Sequence, residues 1–274
     1  MECLAMEEAS NLRRRTKTRN SIVLGVCLSL IAIVAGGKLI PDVLAKRHEA
    51  LWISESQSAL RDISAPDQLY SALAQHPANK ILQLLALANR ETIDIDVAAR
   101  SALDQAAPGG TSQTIEQTAQ SYSDIEALRR ALKASQTNAV TFKQTYLDLV
   151  AARQKELERE ARSLNVSNAT LARFMAMIKE QDARMIEVMS KLTTARAEYY
   201  GAYERCAALL SREFGRFKVT DGQLVFPFPS TAAEYNRAVG MSAAAGRRVA
   251  ELEGERTSLR QEQLDRWKEF IGEK

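Results

Sequence analysis

Between Leu171 and Leu209 apolar residues recur every seven positions in two interleaved series. One reads Leu171, Ile178, Met185, Leu192, Tyr199, Cys206; the other reads Phe174, Gln181, Val188, Ala195, Ala202, Leu209, with Gln181 its single polar member. A repeat of this period draws a narrow apolar seam along a helix, and only another helix covers a seam of that shape. The helix is predicted to start at a cap within Asn165-Val166-Ser167-Asn168 and to run to about Phe214. A second long helix, from about Thr114 to Leu164, precedes it. Its stripe of Ile115, Tyr122, Ile125, Leu128, Leu132, Ala139, Phe142, Tyr146, Leu149, Leu157 and Leu164 drifts around the heptad frame, as expected of a helix with more than one neighbour. The two predict an antiparallel hairpin on the order of 70 Å long. The charged run Arg153 to Arg162 reads as its solvated face.

Gly215 is expected to end the second helix. Residues then alternate on either side of Asp221-Gly222, a pair suited to a two-residue turn, so a β-hairpin is predicted over 216–227. Pro227 and Pro229 stop it. Thr231 with Glu234 resembles a capping box opening a last helix that runs to about Ile271. The small residues Gly240, Ala243, Ala244, Ala245 and Gly246 should let that helix approach closely. The fold class expected is therefore mainly α: a long antiparallel three-helix coiled-coil bundle over 114–274 with one small β-hairpin.

Upstream, 41–107 reads as a helical, membrane-proximal region. A mixed helix from Pro41 to about Ile63 is followed by shorter helices opened by Pro66 and Pro77, with a third capped by Thr92 or Asp94. Ile81, Leu82, Leu84, Leu85 and Leu87 leave the middle one apolar almost all round and hence buried. Pro108-Gly109-Gly110-Thr111-Ser112 marks a linker at 108–113.

Residues 1–20 form a polar segment ending in the basic cluster Arg13 to Arg19, and 21–40 read as a transmembrane anchor. From Ile22 to Ile40 a helix would span roughly 29 Å, close to the hydrocarbon thickness of a bilayer. The cluster predicts a cytoplasmic N-terminus and an extracytoplasmic, periplasmic C-terminal domain, a single-pass inner-membrane topology. Ala35-Gly36-Gly37 offers a cleavage site, but the long segment before it and the apolar residues after it favour an uncleaved anchor over a signal peptide. This segment also accounts for the net charge of +3. Of 37 Lys and Arg, six lie in residues 1–40, with three of the 34 Asp and Glu, leaving 31 of each downstream. A neutral body lacks the footprint of a nucleic-acid binder, and none is expected as a partner.

Chemistry is thinly represented. Cys3, Cys27 and Cys206 show neither metal-ligand spacing nor a disulfide framework, and neither a metal nor a cofactor is expected. His48 and His76 stand apart from any partner acid or nucleophile at a recognisable spacing. Asp94 and Asp96 read as N-terminal helix caps. No GxSxG, Walker-type or HExxH motif occurs, so no enzyme activity is expected. Tyr199 is expected in the core, with Tyr200 and Tyr203 stacking on the hairpin. Met185 reads as core, whereas Met175, Met177 and Met189 read as an adaptable exposed strip for a partner helix.

The stretch Phe217 to Asn236, with Gly222, Phe226, Pro227, Tyr235 and Asn236 as its distinctive letters, resembles the C-terminal part of a domain-of-unknown-function family of enterobacterial envelope lipoproteins. The resemblance implies a Gram-negative envelope location and no known chemistry; the lipidated cysteine of that family is missing. The functional expectation is a membrane-anchored envelope scaffold or adaptor that packs its helices against other envelope proteins or a second copy of itself. A small-molecule or lipid-binding module seated in 66–107 is the alternative. An efflux-type periplasmic adaptor ranks last, because β-rich segments should then flank the helical hairpin on both sides.

Overall fold

The computed structural model describes residues 47–105, 121–220 and 223–272. The expected anchor at 21–40, the linker at 108–113 and the turn pair Asp221-Gly222 lie outside the described residues. Among those described, no helix is long and apolar enough to cross a membrane. The chain divides into two compact units, Met1–Ser54 and Glu55–Lys274. In the first, residues 47–54 are helical, and the His48 and Trp52 rings lie 6.2 Å apart.

The larger unit opens with the end of the helix over 47–61 (α1). Asn79 ties this helix to the next ones: its amide donates to Glu55 (3.0 Å) and its Oδ1 accepts from Ser56 Oγ (3.2 Å). The same oxygen accepts from the backbone N–H of Ile81 and Leu82, both at 3.0 Å, so Asn79 also caps the helix after it. A 3₁₀ turn at Pro66–Gln68 leads into α2, Leu69–Gln75. From Lys80 to Gln105 a single helix, α3, then runs without a break. The expected start at Thr92 or Asp94 is not used. Thr92 Oγ1 instead donates back to the Ala88 carbonyl at 2.9 Å, which satisfies the hydroxyl without interrupting the helix. Of the run expected to be buried, Ile81, Leu82, Leu84 and Leu85 are, whereas Leu87 is half-buried.

Two long helices follow, α4 over Tyr122–Ser163 and α5 over Asn168–Arg212. Asn165 makes the turn between them in the left-handed region (φ 55°), and the Ser167 hydroxyl accepts from Thr170 N–H at 3.1 Å to cap α5. Every member of the Phe174-to-Leu209 series is buried, Gln181 included. Gly215 takes up positive φ beyond the end of α5, as expected. Strands β1 (Lys218–Thr220) and β2 (Gln223–Val225) pair antiparallel with Thr220 opposite Gln223, the register of a two-residue connection. The last helix, α6, runs Pro229–Gln261 and is followed after Glu262 by a separate helix, α7, Gln263–Phe270. The Thr231 capping box does not form: Pro229 occupies the first helical turn, Phe228 is the cap, and Thr231 is buried inside the helix.

α5 packs along both α4 and α6, antiparallel to each. Near the strands these three helices share one core, in which Ile125, Leu132, Leu209 and Leu210 meet Tyr235 and Ala238. Toward the α4–α5 turn a fourth helix joins them. Ala99 and Leu103 of α3 enter a core with Phe142, Tyr146, Met189, Leu192 and Leu252. α3 therefore belongs to the same compact unit as the long helices. It lies against part of the run Arg153–Arg162 that reads as a solvated face, with Arg90 donating to Glu160 at 2.7 Å. Only part of the small-residue stretch of α6 meets a neighbour: Gly240, Ala243 and Ala244 face solvent, whereas Ala245 and Gly246 are half-buried, with the Tyr199 ring 3.6 Å from where a Cβ of Gly246 would stand.

Candidate functional site

The three methionines expected on one exposed strip are divided by the packing of α5. Met189 is 2% exposed and belongs to the four-helix core, and Met175 is also buried. The reason is that α5 has a helix on each side, so its buried face is wider than the heptad seam and takes in the positions next to it. Met177 alone reaches the surface, where it lines a groove of about 530 Å³ between α5 and α7. Arg173 donates to the Phe270 carbonyl at 2.5 Å, with its guanidinium 5.4 Å from the ring centroid, and Arg184 donates to Glu262 at 2.9 Å. Glu180, Asp265 and Glu269 on the walls form no ion pair among the described residues. The groove thus sets Ala176, Met177 and Phe270 among charged side chains, three of them carboxylates with spare capacity.

A polar layer crosses the four-helix section where Gln181 interrupts the seam. Gln181, Asp182, Tyr146, Thr92, Asp96, Arg256 and Arg260 surround a cavity of about 40 Å³, room for water and little more. The Asp96 carboxylate gathers Arg260 and Arg256 from α6, the latter at 3.4 Å, together with Arg100 from its own helix at 3.4 Å. Its role is thus to bridge α3 to α6 rather than to cap a helix. Burial raises the Asp182 carboxyl above its ordinary range, and a hydrogen bond from Gln154 (2.5 Å) opposes that shift. Glu91 is also raised by burial, against the pull of Arg153 and Arg90. None of Asp96, Arg256 and Arg260 stands out in the sequence as a site. The available signal was Gln181 itself, a polar residue at a core position beside an aspartate.

A third depression, of about 410 Å³, lies between the middle of α3 and the junction of α6 with α7, lined by Pro66, Asn89, Ile93, Val97, Thr257 and Arg260. Ile93 and Val97 are exposed there on one face of α3. Cys206 is buried, and burial pushes its thiol up to about 11, so it stays protonated and packs as a small apolar group. Among the described residues no group of His, Cys, Asp and Glu is arranged to hold a metal ion. Of the tyrosine cluster, Tyr200 rather than Tyr199 is the buried member. The Tyr199 ring lies against those of both Tyr200 and Tyr203, whereas the ribbon's Phe217 and Phe226 lie against Phe214 and Tyr235. No protein-family model, curated protein or solved structure matches the chain.

Proposed function

We propose that this chain is a membrane-anchored, extracytoplasmic scaffold or adaptor of the bacterial cell envelope, held by a single pass through 21–40, that receives partner helices in the α5–α7 groove without catalysis. The observation that carries the reading is that groove: two helices present Ala176, Met177 and Phe270 between charged walls on which Glu180, Asp265 and Glu269 form no ion pair among the described residues. A third helix fits such a trough by its own apolar stripe. The apolar run at 21–40 and the resemblance of Phe217–Asn236 to envelope lipoproteins supply the location. A photo-crosslinking residue at Met177 should capture a protein in intact cells, whereas one at buried Met189 should not. Equal capture from both positions, or none from either, would count against the groove. For the topology, a reporter active only outside the cytoplasm, fused after Lys274, should be active, with the protein resisting carbonate extraction.

The depression beside Ile93 and Val97 favours a second reading, a small-molecule or lipid-binding module. Val97→Trp should block uptake of a fluorescent fatty acid under that reading and leave capture from Met177 unchanged.

A further inference from the structure

The β-ribbon carries a feature that the scaffold reading leaves unused. Twelve large apolar side chains are exposed among the described residues, and five of them gather where α4 begins and α5 ends: Tyr122, Phe214, Val219, Val225 and Phe228. In the ribbon's register Val219 pairs with Leu224 and Val225 with Lys218, so the two valines occupy opposite faces. The inner face carries Phe217, Leu224 and Phe226 onto the core; Val219, near the turn, is 42% exposed, and Val225 on the outer face is 52% exposed. A stack of rings holds the ribbon in place, with Phe214 to Phe217 at 6.3 Å, Phe217 to Phe226 at 5.8 Å and Phe226 to Tyr235 at 5.2 Å. Apolar groups are thus presented by a braced element.

What would cover them is decided by three observations. Exposure on both faces of a narrow ribbon cannot be matched by one flat protein surface, but a fluid acyl layer closes around both. Strands of three residues with Lys218 on one of them make poor templates for pairing with a second copy. Basic side chains there keep spare capacity: Lys218 and Arg237 form no ion pair among the described residues and Arg216 reaches only Glu213, at 3.7 Å, although the sequence also places Asp221 in the turn. Aromatic and branched apolar side chains flanked by basic ones suit the boundary between acyl chains and anionic headgroups.

We propose that the ribbon end is a lipid-docking tip, in which Val219, Val225 and Phe228 enter an anionic bilayer surface while Arg216 and Lys218 meet its headgroups. The inference does not depend on the anchor at 21–40 or on the α5–α7 groove. It is tested on the full chain carrying Cys3→Ser and Cys27→Ser, with Val225→Cys labelled by an environment-sensitive fluorophore. The control is the same label on Val140→Cys, a position 65% exposed on α4. Both proteins are mixed with vesicles of phosphatidylcholine and phosphatidylglycerol that contain doxyl-labelled lipid. The label at 225 should be quenched severalfold more than the label at 140, and the difference should shrink without phosphatidylglycerol or with Lys218→Glu. Equal quenching at the two positions overturns the proposal. So does emission at 225 that ignores lipid but self-quenches as protein concentration rises, because a second copy then covers the ribbon.

Discussion

Leu192 and Lys191 are neighbours in sequence and opposites in environment. Leu192 is fully buried among four helices, whereas Lys191 pairs with Glu187 one turn away on the surface at 2.6 Å. Leu192→Ala removes apolar volume from a site with little room to collapse and should cost about 2–5 kcal/mol. Lys191→Ala loses only an exposed pair and should leave stability almost unchanged. Urea unfolding of the two variants checks this, and similar small losses would mean that the seam is not core. Asp182 gives a test with a sign. Burial holds its folded-state pKa above the ordinary value, so the folded protein binds the proton more tightly than the unfolded chain does. The charged form therefore costs stability at neutral pH, and the cost fades as pH falls through the raised pKa. Asp182→Asn keeps an oxygen for Gln154 and should raise the urea midpoint at about pH 7, with its advantage gone by about pH 4. A gain independent of pH would show that the carboxyl is not strained by burial.

At the scale of elements, α3 is held to α6 by charge as well as by packing. Removing the Asp96 carboxylate leaves Arg256 and Arg260 together in a partly buried layer, and among the described residues Arg256 keeps only Glu253, at 3.0 Å. Asp96→Ala should cost about 2–4 kcal/mol. Amide exchange should quicken in α3 and leave the stacked rings near β1 and β2 unchanged. Unaltered exchange in α3 would mean that the ion cluster is incidental. α6 makes a complementary case. Its Gly240 has open space where a Cβ would stand, so Gly240→Ala should stabilise by about 0.5–1 kcal/mol through helix propensity alone.

The larger unit, residues 55–272 as described, should unfold in one transition, because α3 and the three long helices share a core. Leu103, at the end of α3, is buried in that core. Leu103→Ala should shift the whole thermal transition, with helicity and tyrosine fluorescence moving together. Two separated transitions would instead mark α1–α3 as an independent module divided from the bundle at 108–113.

How much of this was legible follows from which interactions are local. The seven-residue seam, the Ser167 and Gly215 signals at either end of α5 and the alternation around Asp221-Gly222 are properties of neighbouring residues, and they located α5 and the ribbon to within a few positions. α3 nevertheless continues through Thr92, whose hydroxyl bonds back to Ala88, and α6 starts at Pro229, which suits a first helical turn. The capping letters at Thr92, Asp94 and Thr231 pointed elsewhere: Thr92 Oγ1 donates to Ala88 and accepts from Gln263, and Thr231 is buried within α6. The same holds for function-bearing positions: Met177 and Met189 look alike in sequence, and only the arrival of helices on both sides of α5 buries one and leaves the other in a groove. Sequence by itself determined the helical character, the seam and the apolar run at 21–40, since periodicity and hydropathy act along one segment. Tertiary structure alone decided that α3 is the fourth helix and that Gln181 sits in a polar layer, because a seam demands a partner without specifying which one.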